Sequence, residues 1–305
     1  MFTTLAAFLR NRKAAVGLVI VLIYVLVAVF APLLIGHDPL KRVARPHDMP
    51  SPDHILGATR MGRDVLTQLI AGTRTSLFVG VTAGFIITFI GVVLGIAAGY
   101  FGGWVDEVIN FLTNVALVIP QLPLLLVIAA FIGQTSPVVI AVIIGLTSWA
   151  WGARVTRAQT MTLRRREFIE ASELIGEPAH RMILVELLPN LLSIIGYNFI
   201  GSVIYTIITQ ATLEFLGLGN PLSVSWGTML YNAQTSSAMN VGAWWEILAP
   251  SAAIAIIGIG LSLLNFGVDE ISNPRLRTLG AINAAAKAQD AIDRARRARA
   301  AGATT

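Results

Sequence analysis

The chain has 305 residues, 55% of them hydrophobic and only 13% charged, whereas a soluble domain carries about 25% charged residues, so lipid is the solvent for most of it. Its 22 Lys and Arg against 17 Asp and Glu suit basic membrane loops better than nucleic acid. With no cysteine, disulfides, thiolate metal sites and a cysteine nucleophile are excluded.

A helix needs about 20 predominantly apolar residues to cross the hydrocarbon layer. Six runs of that order, free of Asp, Glu, Lys, Arg and His, occur at 14–35, 77–100, 108–132, 138–153, 191–213 and 247–268. The fourth is short, but Arg154 and Arg157 at its end can snorkel while the helix continues. Ahead of the first, residues 1–13 set Phe2, Leu5, Phe8 and Leu9 beside Arg10, Arg12 and Lys13, the pattern of a short amphipathic helix on the inner membrane surface or of a frayed end. The first run is too long for a signal-peptide core and is read as retained.

Six spans place both termini on one side, and that side then holds 16 of the 22 basic residues. The bias predicts a multi-pass inner-membrane protein with cytoplasmic N- and C-termini. An external segment follows at 36–76, then a five-helix core at 77–278. A basic, Ala-rich cytoplasmic tail at 279–305 lies near anionic lipid.

An intramembrane Asp, Glu, His or Lys is the usual relay of ion-coupled transporters, and none falls inside the six runs. No HExxH, GxSxG or paired intramembrane acids occur, and His37, His47, His54 and His180 all lie in loops. Gly57-Ala-Thr-Arg-Met-Gly62-Arg63-Asp64 has the glycine spacing of a phosphate-binding loop, but Arg-Asp stands where Lys and Ser or Thr belong. If the chain moves a solute uphill, the energy must therefore come from another polypeptide.

The second run carries Gly80, Gly84, Gly91, Gly95 and Gly99, a small-residue ridge that admits a close helix neighbour, with hinges as the alternative. In the third, Asn110, Asn114 and Gln121 accompany Pro120 and Pro123, which kink a helix and free carbonyls that protein or a cavity must cover. In the fifth, Asn198, Ser202, Tyr205, Thr209 and Thr212 share one face. That stripe either lines a path for a solute rich in amide groups or supplies hydrogen bonds between helices.

Between the fourth and fifth runs, 167–190 reads as two short helices, the first ended by Gly176, the second opened by Pro178 and stopped by Pro189. Tethered at both ends to spans, it cannot readily lay a recognition helix in a DNA groove. Docking to a cytoplasmic protein is the better reading.

Here the sequence resembles the membrane permeases of ABC importers. Glu170, Ala171, Ser172, Gly176, Leu188 and Pro189 match their signature loop, with Ser172 in place of the second Ala and Glu186 where His is expected. Further motifs resemble the dipeptide, oligopeptide and nickel branch: Gly62-Arg-Asp-Val-Leu66, Gly99-Tyr-Phe-Gly-Gly-Trp-Val-Asp106, Glu214-Phe-Leu-Gly-Leu-Gly219 and Asn273-Pro-Arg-Leu276 among them. The resemblance covers about residues 10–277. It implies an all-α fold of type I importer permeases, with six transmembrane helices and a cytoplasmic coupling-helix loop at 167–190. Within that loop Glu167, Glu170, Ala171, Ser172, Gly176, Leu188 and Pro189 would couple to the ATPase. It also implies a homologous second permease, two ATPase subunits carrying ATP and Mg, and an external solute-binding protein. No cofactor is expected on this chain and no catalysis of its own. Asn198, Ser202, Tyr205 and Thr209 are the path candidates. Related permeases carry dipeptides, longer peptides, nickel, haem or glutathione, and the spans hold no metal-ligand cluster suited to nickel.

Overall fold

The computed structural model describes residues 11–133 and 136–272, the last four by backbone alone. Most of the expected N-terminal surface helix, the Asn273-Pro-Arg-Leu276 motif and the basic tail lie outside the described residues. Among those described there is no strand, only one antiparallel bridge between Ala58 and Asp64.

Helix α1 spans Arg12–Leu34, and the Asn11 side chain accepts from the Lys13 and Ala14 amides at its start. Helix α2, Val65–Phe101, is 37 residues long, about 55 Å at 1.5 Å per residue. It therefore begins well inside the segment 36–76 assigned to an external loop. Asp64 caps it by accepting from the Thr67 amide at 2.7 Å, and counting only uncharged residues cut it short at Arg74. Gly102 and Gly103, at φ 64° and 51°, turn the chain into α3.

The third run is two helices, α3 (Gly103–Val118) and α4 (Gln121–Ile132), meeting at 83°. Ile119 is extended at φ −70°, ψ 124°, the conformation a residue before proline prefers, and Pro120 has no amide to continue the helix. The fourth run also divides, into α5 (Pro137–Thr147) and α6 (Ala150–Arg164), bent by 44°. Helix α6 continues past Arg154 and Arg157.

Beyond α7 (Glu167–Leu174), the chain is helical from Ala179 to Leu218, a 40-residue stretch whose main part is α8 (Leu188–Leu213). Pro189 does not stop it. A π-helical stretch, Met182–Leu187, ends one residue short of the proline, and its wider turn accommodates the ring and the missing donor. A second π stretch, Glu214–Leu218, follows α8. A capping box formed by Ser225 and Thr228 opens α9 (Trp226–Thr235), and α10 covers Trp245–Ser272.

Four helical stretches (Arg12–Leu34, Val65–Phe101, Ala179–Leu218 and Trp245–Val268) are long and apolar enough to cross a membrane. The two bent pairs bring the number to six if each pair is one span.

Helix α2 is the central strut, and its glycine ridge is a packing device in an unbroken helix. A Cβ at Gly84 would lie 2.8 Å from Val203 Cγ2 of α8. At Gly95 and Gly99 it would lie 2.6 and 2.7 Å from the Cβ atoms of Thr156 and Thr160 of α6. Only a hydrogen fits at these approaches.

The segment 36–64 folds onto the helix ends beside it. Trp245 donates its indole N–H to the Ala58 carbonyl at 3.2 Å, His47 Nδ1 lies 2.6 Å from Glu246 Oε1, and Gln68 donates to the Pro39 carbonyl. The phosphate-loop-like glycines are turn residues here: Gly57 and Gly62 hold φ of 71° and 68°, which returns the chain so that Asp64 can cap α2.

Candidate functional site

At the opposite end of the bundle, α7 projects on a short arm. Its C-terminus closes as a Schellman motif: Glu177 N–H donates to Ser172 O at 3.2 Å and Gly176 N–H to Glu173 O at 3.0 Å, with Gly176 at φ 80°. Nothing approaches within 4 Å of a Cβ built on Gly176, so the glycine is there for backbone conformation and not for close contact.

Glu167, Glu170 and Ala171 are exposed, and Ser172 turns its hydroxyl back to the Phe168 carbonyl. Leu188 is half-buried and Pro189 exposed where the π stretch passes into α8. The structure adds residues that the motif did not single out. Leu174 and Ile175 are 88% and 78% exposed at the tip, with Phe168 beside them, while Ile169 alone points inward. The pattern was legible as an apolar Leu-Ile pair directly before a turn glycine, but nothing in the sequence said which way the short helix would roll.

Ile169 packs with Tyr100, Met182 and Leu187. The same junction is tied electrostatically: Arg164 donates to the Tyr100 carbonyl, its guanidinium lies 5.4 Å from the Tyr100 ring centre, and its Nε is 3.6 Å from Glu173 Oε1. One small cluster thus joins the arm to the end of α2 and to the root of the 40-residue helical stretch. Arg157 makes a bidentate pair with Asp106 nearby, bracing α6 against α3.

Within the span region lies a cavity of about 460 Å³ bordered by α2, α3, α4, α5, α6, α8 and α10. Asn198, Ser202 and Tyr205 line it, together with Tyr197, Gln121 and Asn265. None of the lining residues is an Asp, Glu, Lys, Arg or His. Thr209 is absent from this wall; it is buried, one helical turn beyond Tyr205. Thr212 spends its hydroxyl on the Ile208 carbonyl. Gln121, at the start of α4, donates to Ser148 at the bend between α5 and α6 at 3.0 Å, and Asn114 accepts from Arg154 at 2.6 Å. Asn198 Nδ2 and Asn265 Oδ1 are shut from solvent without a hydrogen-bond partner, a penalty of about 1–3 kcal/mol per group. Asn265, on α10, was invisible to a search that followed one helix face at a time.

A third polar cluster closes the other end of α8. Glu214 is buried and accepts from the Ser225 hydroxyl and, at 3.0 Å, from Gln210 Nε2. It lies one residue beyond the uncharged run, so counting runs missed it. Among the described residues no group of three or more His, Cys, Asp or Glu is placed to hold a metal.

Comparison with known proteins gives two family matches. Residues 91–278 match the binding-protein-dependent transport system inner membrane component. Residues 3–52 match the N-terminal transmembrane domain of oligopeptide transport permease C. The chain is 32% identical over 270 residues to a dipeptide transport system permease protein of Bacillus subtilis, covering 88% of this chain and 83% of that protein. An oligopeptide transport system permease protein of the same organism is 29% identical over 272 residues, 88% of each. Another, from Mycobacterium tuberculosis, is 30% identical over 279 residues, 89% of this chain and 94% of the relative.

Proposed function

The chain belongs to the binding-protein-dependent transport inner membrane components, and from that membership we propose that it forms half of the translocation path of an ATP-driven importer of peptides. It is a permease subunit and not a catalytic one. A homologous permease would supply the other half, two ATPase subunits would carry ATP and Mg, and a solute-binding protein would deliver the peptide. The basic bias of the loops supports placing both termini and 167–190 in the cytoplasm, with 36–64 outside.

The observation that carries this reading is the exposed apolar tip of α7. Leu174 and Ile175 stand exposed at its end with Phe168 beside them, and a grouped apolar patch held out from the bundle marks a site where a partner docks. Glu167, Glu170, Ala171 and Ser172 surround the same docking surface. Closure of the ATPases would press α7 through Ile169 onto Tyr100, Met182 and Leu187. Displacement would then pass Leu188 and Pro189 into α8, whose middle carries Asn198, Ser202 and Tyr205 on the cavity wall.

Peptides suit that wall on chemical grounds. A neutral lining whose polar groups are amides and hydroxyls exchanges hydrogen bonds with a peptide backbone without trapping either terminus as an ion pair. The relatives named for dipeptide and oligopeptide transport support the same solute class.

The test is affinity capture of the full chain from gently solubilised membranes, with identification of what co-purifies and an assay of peptide-stimulated ATP hydrolysis. A second permease and an ATPase in the eluate, with hydrolysis rising on peptide addition, is the expected result. A chain that purifies alone and transports by itself refutes it.

A further inference from the structure

We propose that the cleft between α1, α2 and α5 binds one membrane phospholipid, its phosphate on Arg74 and an acyl chain lying along the cleft. This goes beyond the permease role and does not depend on it. The cleft encloses about 900 Å³, roughly twice the volume of the polar cavity. Its walls are mainly aliphatic or aromatic, with Val25 and Val29 from α1, Phe78 and Val81 from α2, and Ile257 of α10 beneath; Thr82 is the polar exception away from Arg74 and Thr75.

Direction is the first argument. Along α2 the lining runs from Arg74 to Thr82 and along α1 from Val29 back to Val21, about 12 Å in each case at 1.5 Å per residue. The cleft therefore follows the helix axes part of the way into the bilayer, as an acyl chain does, and Arg74 marks the end nearest segment 36–64.

Charge is the second. Arg74 stands three residues before the uncharged run of α2 and is exposed, and among the described residues its side chain has no ion pair or hydrogen bond. Arg157 and Arg164, by contrast, are held by Asp106, and by Tyr100 and Glu173. A guanidinium at membrane level without a carboxylate takes phosphate as its natural partner, because its planar fork matches two phosphate oxygens. Thr75 beside it offers a hydroxyl to the same headgroup. A hydrocarbon cleft ending in one unpaired cation is complementary to an amphiphile with one anionic group.

The test uses the purified full chain with phosphatidylglycerol that carries a photoreactive group in its acyl chain. Labelling is expected at Val25, Val29 and Val81 and is expected to be competed by unlabelled phosphatidylglycerol. Arg74→Gln should lower it at least about tenfold, the loss of a charge-assisted contact, and Arg74→Lys should restore part of it. Val25→Trp, which fills the cleft and leaves Arg74 intact, should lower it as well. Labelling indifferent to Arg74→Gln and Val25→Trp would overturn the proposal in favour of ordinary surrounding lipid. In membranes that hold the assembled importer, a photoreactive amino acid placed at Val25 that cross-links a second permease in place of lipid would overturn it in favour of a protein occupant.

Discussion

Gly95→Ala isolates what holds α2 against α6. The added Cβ would sit 2.6 Å from Thr156 Cβ, 2.7 Å from the Ala153 carbonyl oxygen and 3.0 Å from the Arg157 amide nitrogen. Two of these three are backbone atoms of a helix and cannot swing aside. Ordinary contact begins at 3.4 Å, so the helices must part by about 0.8 Å at this crossing. Overpacking of this kind costs about 1–3 kcal/mol, and the better helix propensity of alanine returns only about 1 kcal/mol. The same substitution at Gly258 of α10, where nothing lies within 4 Å, keeps the propensity gain without the clash. The two variants should therefore differ by about 2 kcal/mol, Gly95→Ala less stable than the parent and Gly258→Ala equal or better. Equilibrium unfolding of the purified chain in mixed micelles, followed by tryptophan fluorescence, reads the difference directly. If Gly95→Ala unfolds at or above the parent midpoint, the glycine ridge is not a packing device and the central place given to α2 is wrong.

Gly176→Asp forces a side chain into the left-handed region at φ 80°, about 1–2 kcal/mol unfavourable, and sets a charge beside Leu174 and Ile175. The chain should still insert and fold, while peptide-stimulated ATP hydrolysis of the assembled importer falls at least tenfold, by analogy with hot-spot losses of about 2 kcal/mol. Unchanged stimulation would remove α7 from the docking surface. Glu214→Ala leaves Ser225 and Gln210 without their acceptor and opens a void where Gly219 and Gly227 now crowd the carboxyl. A loss of about 2–4 kcal/mol is expected, with earlier proteolytic cleavage between α8 and α9; cleavage at the parent rate would mean that the Glu214 cluster does not hold the end of α8 to α9. Trp245→Phe removes the buried bond to the Ala58 carbonyl, about 1–2 kcal/mol, and should quicken hydrogen exchange in 57–64. An exchange pattern like the parent's would mean that the segment is held by other contacts.

The order of apolar runs and the turn residues of 167–190 sufficed to predict a helical membrane protein with a loop of two short helices, and the resemblance of Glu170, Gly176 and Pro189 to the importer signature implied a permease. Hydropathy and turn chemistry are local, and a bilayer leaves the backbone little choice besides helix. Three matters needed the fold. Whether Pro120 and Pro189 break a helix depends on where the freed carbonyls find cover and on whether a π turn can form: Pro120 became an 83° break, and Pro189 was passed without one. Whether Asn198 and Thr209 share a function depends on what packs against each turn of α8; one borders the cavity and the other is buried in the protein. Asn265 joins Asn198, and Ile169 joins Tyr100, only because helices distant in sequence cross there. Residue types and their periodicity are properties of one segment, whereas a cavity wall, a buried carboxyl such as Glu214 or an unpaired Arg74 is a property of neighbours, and neighbours are chosen by tertiary packing.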